Sequence, residues 1–279
     1  MKKYFQNWCE NPNRETLVMG IVNVTPDSFS DGGRFLQTKK AFNHARKLIY
    51  DGADIIDIGG ESTRPGANKV SQSEELIRVI PVIEAIRLNF PDIIISIDTT
   101  KSVVASEAIQ AGADIINDVS GLDLDRKMIE TVASLKVPII IMHMQGNPRN
   151  MQINPEYQDL IDDIILFFKE KIKIAKKSGI NKNLIIIDPG IGFGKTVKHN
   201  FELIAKLNDF NKFGLPIMVG PSRKSFIGET LNLPVDSRIE GTSAAITASI
   251  LNGARIVRVH DVLEMKRVVE ISERIRTIV

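Results

Sequence analysis

Three apolar runs of this sequence end on a side chain that can hydrogen-bond: Asp98 after Ile93–Ile97, Asn117 after Ile115–Ile116, and Asp188 after Ile185–Ile187. Carboxylates accept hydrogen bonds, and an amide both accepts and donates. Together they suit the edge of a flat heterocycle with amino and ring N–H groups, such as a guanine or a pterin. Each residue alone could equally cap a helix or open a turn; three converging on one place point to a ligand. A second group has the chemistry of an anion site. Arg258 and His260 stand two apart, so an extended chain points both to one side. Asn23 ends the first apolar run, and a neutral amide there suits Mg2+, which keeps several waters and takes other oxygens from substrate phosphates. The alternatives are a turn cap for Asn23 and a structural hydrogen bond for His260. Lys224 follows the seventh apolar run in PSRKS, where barrels build phosphate sites at helix starts; Arg223 is its outward-facing neighbour or the reverse.

Other candidates fail on their own terms. DPGIGFGK (residues 188–195) is neither GxxxxGK[ST] nor GxGxxG, so it is not a nucleotide-binding glycine loop. Lys195 within it reads as a solvated surface charge, and His143 as a structural histidine. No Cys partners or HExxH pattern support a zinc site. Cys9, the only cysteine, has no disulfide partner in the chain and reads as an inert thiol. The stretch Thr25–Gly33 is long and polar enough for a mobile lid, with a purely structural loop as the alternative.

The elements that must position these groups are legible as an alternation. Short runs rich in Ile and Val on both faces predict strands of a buried parallel sheet at Leu17–Val22, Asp54–Ile58, Ile93–Ile97, Ile115–Asn117, Val137–Met142, Leu184–Asp188, Pro216–Gly220 and Ala254–Val259. Between them lie amphipathic patterns, such as Phe42, Ala45, Leu48 and Ile49, or Leu76, Val79, Ile80, Ile83 and Ile86. Ser71 and Glu74 have capping-box spacing, and Gly52, Gly112, Gly179 and Gly253 sit where helices end. Asp261 reads as the cap of the last helix. Eight such units either close as a barrel or open as a doubly wound sheet, and the count favours a single (β/α)8 TIM barrel over residues 17–279, with residues 1–16 as an N-terminal extension. The polar and glycine-rich motifs all follow strands, at the end where barrels of this kind build active sites.

Gross properties narrow the partners. A chain of 279 residues with 43% hydrophobic and 25% charged residues is ordinary globular material for one barrel. A net charge of +2 argues against nucleic acid or an anionic membrane as a general partner. There is no secretory signal and no apolar run of about 18 residues to span a bilayer, so a cytoplasmic protein is expected.

Taken together, the motifs resemble those of the dihydropteroate synthases from about residue 17 to the end. GIVNVTPDSFSDGG (20–33) and GGESTRPG (59–66) are long and specific; INDVSG, HMQGNPRNMQ, DPGIGFGK, GPSRKSFIG and RVHD follow in the family's order. The resemblance implies a TIM-barrel enzyme that condenses 7,8-dihydropterin-6-ylmethyl diphosphate with 4-aminobenzoate, releasing pyrophosphate. It implies that Asp98, Asn117, Asp188 and Lys224 bind the pterin, with Met142 against its ring. Asn23 would hold Mg2+, while Thr63, Arg258, His260 and the first loop hold the diphosphate. Phe29, Thr63, Arg64, Pro65, Phe193 and Ser225 would shape the aminobenzoate pocket. Asp188, Lys224, Arg258 and His260 would then be the catalytic set, acting dissociatively. A homodimer through the outer helices and sulfonamide sensitivity are further family-level expectations. The alternatives are a pterin-dependent methyltransferase, which has no use for a diphosphate site, and a non-catalytic pterin-binding paralogue, which would have lost loop residues or Lys224.

Overall fold

A computed structural model describes residues 2–25, 34–62, 69–146, 151 and 154–278. Eight parallel strands close on one another in chain order: β1 (Leu17–Asn23), β2 (Ile55–Gly59), β3 (Ile94–Asp98), β4 (Ile115–Asp118), β5 (Ile139–Met142), β6 (Ile185–Asp188), β7 (Ile217–Val219) and β8 (Ala254–Val259). Each begins and ends within two residues of its sequence expectation. Pairing of β1 with β8, Leu17 opposite Ile256, closes the barrel and rules out the open sheet.

Helices cover the outside: α1 (Lys2–Glu10) before β1, then α2 (Arg34–Tyr50), α3 (Gln72–Asn89), α4 (Ser102–Ala111), α5 (Met128–Leu135), α6 (Leu160–Lys177) and α7 (Val197–Ala205), one after each of β1 to β6. Two, α8 (Ser225–Leu231) and α9 (Ile239–Leu251), lie between β7 and β8, and α10 (Val262–Arg276) ends the barrel. Period-two alternation divides the apolar side chains between two cores. Val18, Ile56, Ile58, Ile95, Ile97 and Ile141 join the helices in the outer core, whereas Met19, Ile55, Ile94, Ile115, Ile140, Ile186, Met218 and Ile256 fill the barrel. Helix punctuation follows the sequence. Ser71 accepts from the Glu74 N–H at 3.2 Å, and Gly52, Gly112, Gly179 and Gly253 have φ of +100°, +119°, +91° and +112°.

Residues ahead of β1, which carry no motif, have a packing role. Helix α1 buries Phe5, Trp8 and Cys9 against Leu17, Ile55, Ile94 and Ile115, the first residues of their strands, and so plugs the N-terminal end of the barrel. Arg14 locks the plug by donating to the carbonyls of Trp8 and Cys9 at 3.1 and 2.8 Å. Cys9 is unavailable for chemistry, since burial pushes its thiol up to about 12.

Candidate active site

The inward positions that are apolar at the bottom of the barrel become polar toward its C-terminal mouth. On β2 the inward side chain after Ile55 is Asp57, and on β3 Ile94 is followed by Ser96 and Asp98. Register then lays these residues side by side: Asp57 opposite Ser96, Gly59 opposite Asp98, and Asp98 opposite Asn117. Arg258, inward on β8, ties them together. Its Nε donates to Asp57 Oδ2 at 2.6 Å and its Nη2 to Asp98 Oδ2 at 2.8 Å, while Asn117 Nδ2 donates to the same Asp57 oxygen at 3.2 Å. Asp57, Asp98 and Asn117 are all buried. Burial pushes the Asp98 carboxyl up to about 7 despite the opposing pull of Arg258. Burial also works against charge on Arg258, but Asp57 and Asp98 overcome it and hold the guanidinium above its ordinary value. Among the described residues, Asn117 Oδ1, Asp57 Oδ1 and Ser96 Oγ have no hydrogen-bond partner. Buried acceptors of this kind demand donors, and for Asn117, which lines the cavity, a heterocycle edge with amino and ring N–H groups offers one.

Asp57 and Ser96 are absent from the sequence reading. The signal that could have found them is a polar residue inside an all-Ile strand at the same parity as the mouth residues: Asp57 in IIDIG and Ser96 in IISID. Such a residue faces the barrel interior and must be satisfied there.

Asp188 ends β6 opposite Met142 on β5, so these two enter the mouth together. The chain turns sharply after it. Gly190 donates its N–H to Asp188 Oδ1 at 2.8 Å and has φ +74°; a Cβ there would lie 1.9 Å from the His143 carbonyl oxygen, so only glycine fits. Burial raises the Asp188 carboxyl to about 6, offset by the Gly190 N–H and by the charges of Lys224, Lys195 and Arg258. The turn then presents Phe193, whose ring centroid lies 3.9 Å from Lys224 Nζ. Lys195 departs from expectation. It is not solvated but 3% exposed, with Nζ 2.9 Å from the Phe193 carbonyl and 3.1 Å from His143 Nδ1. The glycine-rich turn folds back on β5, and this buries the lysine beneath it. Burial lowers Lys195 to about 7, and burial together with the Lys195 charge drives His143 down to about 2, leaving a neutral imidazole.

The third part of the mouth is set by β8 and its neighbours. Asn23 ends β1, which pairs with β8, so the sequence expectation that Asn23, Arg258 and His260 share one side of the barrel holds. Arg258 reaches further inward than an anion site alone would require, because Asp57 and Asp98 draw it down. Ser222 Oγ lies 3.0 Å from His260 Nδ1 and accepts the His260 backbone N–H at 3.2 Å, which fixes the ring. Asp261 stands at the start of α10 but makes no capping bond. Its carboxylate instead takes Arg223 Nε and Nη2 at 3.0 and 2.6 Å, so Arg223 is turned to this pair and to Asp236. Among the described residues there is no cluster of three acidic, His or Cys side chains that could hold a metal. The donor set fits a Mg2+ held by the Asn23 amide with substrate oxygens and water, not an all-protein cage.

These groups line one cavity of about 1030 Å³ at the mouth, with Asn23, Asp98, Asn117, Met142, Asp188, Phe193, Lys224, Ser225, Arg258 and His260 on its wall. Phe29, Thr63, Arg64 and Pro65 lie outside the described residues. The approach to them is described. Glu61 accepts the Val70 N–H at 3.2 Å and pairs with Lys101, which also binds buried Glu75 at 2.5 Å, so the two sides of the β2–α3 segment are tied at its base.

Comparison with known proteins places this arrangement in a family. Residues 19–260 match the pterin binding enzyme family model. The chain is 47% identical to the dihydropteroate synthase of Haemophilus influenzae over 262 residues, covering 94% of each chain. It is 48% identical to that of Escherichia coli K12 over 256 residues, covering 91% of this chain and 90% of the other. Among solved structures, Yersinia pestis dihydropteroate synthase with a sulfonamide drug complex superposes with a TM-score of 0.90 at 46% identity, over 96% of both chains. The Xanthomonas albilineans enzyme in complex with 7,8-dihydropteroate gives 0.85 at 38% identity, over 95% of both. The same enzyme with 4-aminobenzoic acid gives 0.88 at 41%, over 95% of this chain and 94% of the other. With the buried carboxylates and amide at the mouth, these likenesses establish that the chain belongs to the pterin binding enzyme family, among the dihydropteroate synthases.

Proposed function

We propose that the chain joins 7,8-dihydropterin-6-ylmethyl diphosphate to the amine of 4-aminobenzoate in folate biosynthesis, by a dissociative route. The observation that carries this reading is the convergence of Asp98, Asn117 and Asp188 from three strands on one cavity that Arg258 and His260 also line. The Xanthomonas complexes with aminobenzoic acid and dihydropteroate support the choice of substrate and product.

In this mechanism Asn117 and the two carboxylates take the amino and ring N–H groups of the pterin, and Met142 packs on its face. The CH2–O bond breaks first, and its electron pair leaves with the diphosphate. Positive charge spreads into the dihydropterin ring, where the poorly solvated Asp188 carboxylate stabilises it more strongly than it could in water. Arg258 and His260 stabilise the departing pyrophosphate, His260 being held for this by Ser222. Mg2+, when bound through Asn23, would supply neutralising charge for the diphosphate. The aminobenzoate nitrogen then forms the C–N bond and sheds one proton. No side chain is needed as a covalent nucleophile. We also propose cytoplasmic residence and a homodimer built from outer helices; exposed Phe201, Leu231 and Leu251 support the second. No helix among the described residues is long and apolar enough to cross a membrane.

Pyrophosphate release from the pterin diphosphate with Mg2+, with and without 4-aminobenzoate, tests the reading. Release without aminobenzoate, and dihydropteroate formation lost in Asn23→Ala and Lys224→Ala, are expected. Cleavage that depends strictly on aminobenzoate would defeat the dissociative order, and pterin binding without turnover would point to a non-catalytic paralogue.

A further inference from the structure

The proposed chemistry leaves one buried cation of the mouth without a task. Lys195 is 3% exposed, and a lysine is costly to bury unless its nitrogen holds something in place. What it holds is the Asp188–Gly194 turn. Nζ donates to the Phe193 carbonyl at 2.9 Å and lies 3.1 Å from His143 Nδ1 on the neighbouring β5 connection. Just beside it, Tyr157 Oη donates to the Gly194 carbonyl at 2.7 Å, and the Lys195 nitrogen lies 6.0 Å from the Tyr157 ring. The turn is thus pinned by Lys195 and Tyr157, while it presents the Phe193 ring 3.9 Å from Lys224 Nζ, on the cavity wall that Lys195 also lines.

We propose that Lys195 is a positioning residue for the second substrate: by fixing the Phe193 carbonyl it holds the Phe193 ring against Lys224 as a wall of the aminobenzoate pocket. This rests on the reading of Phe193 as part of that pocket. Lys195 acts through a backbone carbonyl two residues away and leaves the pterin edge to Asp98, Asn117 and Asp188. Its removal therefore weakens binding of the amine substrate more than that of the diphosphate, which it reaches only through its charge on Asp188.

A double-mutant cycle tests this. Lys195→Met removes the donor and keeps the bulk. It is expected to raise KM for 4-aminobenzoate about tenfold, the order of coupling between residues that share a contact. The Kd of the pterin diphosphate, measured calorimetrically without aminobenzoate, should change by clearly less than that KM does. Phe193→Ala should raise the same KM, and adding Lys195→Met to it should produce no further rise. Should the Met variant fail to fold, Lys195→Gln, which keeps a donor on a shorter stem, is read in the same cycle. Additive effects, or an equal loss of pterin affinity, would overturn the proposal and leave the pocket reading standing. A Phe193→Ala variant with unchanged KM would remove the pocket reading, and the proposal with it.

Discussion

Asp188 must carry a charge in a place that resists charge. Its carboxyl is raised to about 6 by burial, against an ordinary value of 3.8, and the proposed role requires the ionised form. The sign follows directly. As pH falls through about 6 the carboxylate of the free protein takes up a proton and the ring cation loses its stabilising partner, so kcat/KM for the pterin diphosphate should fall on the acid side with that midpoint. A profile of kcat/KM against pH checks it, and Asp188→Asn should remove the inflection while lowering kcat by about 10²–10³. Stability runs the other way. Between 3.8 and about 6 the folded state binds this proton more readily than the unfolded chain, so the group's contribution favours folding below that window and is lost as pH rises through it. Loss of activity near pH 6 is therefore not caused by this group's effect on folding.

At the scale of elements, the β6–α7 turn shows how one backbone position governs several side chains. Gly190 sits at φ +74° with the His143 carbonyl where a Cβ would go. Gly190→Ala must push the turn away from β5, and Asp188, Phe193 and Lys195 move with it. Expected are a loss of at least about 2 kcal/mol in urea unfolding, from strain plus the clash, and a loss of turnover larger than any stability change explains. Strands and helix ends were legible in the sequence because they repeat a period or carry a punctuating glycine, as at Gly52 and Gly253. The convergence of Asp98, Asn117 and Asp188 was legible for the same reason, since each lies at a strand end or one residue before it. Lys195 was not, because its burial depends on His143 and Tyr157, far away in sequence and brought over it only by the fold. Asp57 lies mid-strand, away from the strand ends that mark the others, although its parity is visible in IIDIG. Asp261 looks like a cap from its position alone, and only the packing of β7 against β8 brings Arg223 to claim its carboxylate.

For the molecule as a whole, the barrel separates its two ends by task. The mouth gathers buried charge and an open cavity, which cost stability, while the other end is closed by apolar packing of α1. Trp8 is 5% exposed and stacked on Phe5 with ring centroids 5.3 Å apart. Trp8→Ala should lower unfolding free energy by about 3–5 kcal/mol, measured in urea, with both substrate KM values unchanged because the lost contacts lie at the far end.

The plug also has a consequence in time. Helix α1 is made before any strand of the barrel, yet the cluster it joins includes Ile256 on β8, the last strand. During synthesis its apolar face therefore waits until the eighth strand is made. Trp8 is the only tryptophan, so its emission is a built-in reporter of the moment the ring of strands is completed: red-shifted in nascent chains that stop before β8, and blue-shifted once β8 has joined β1.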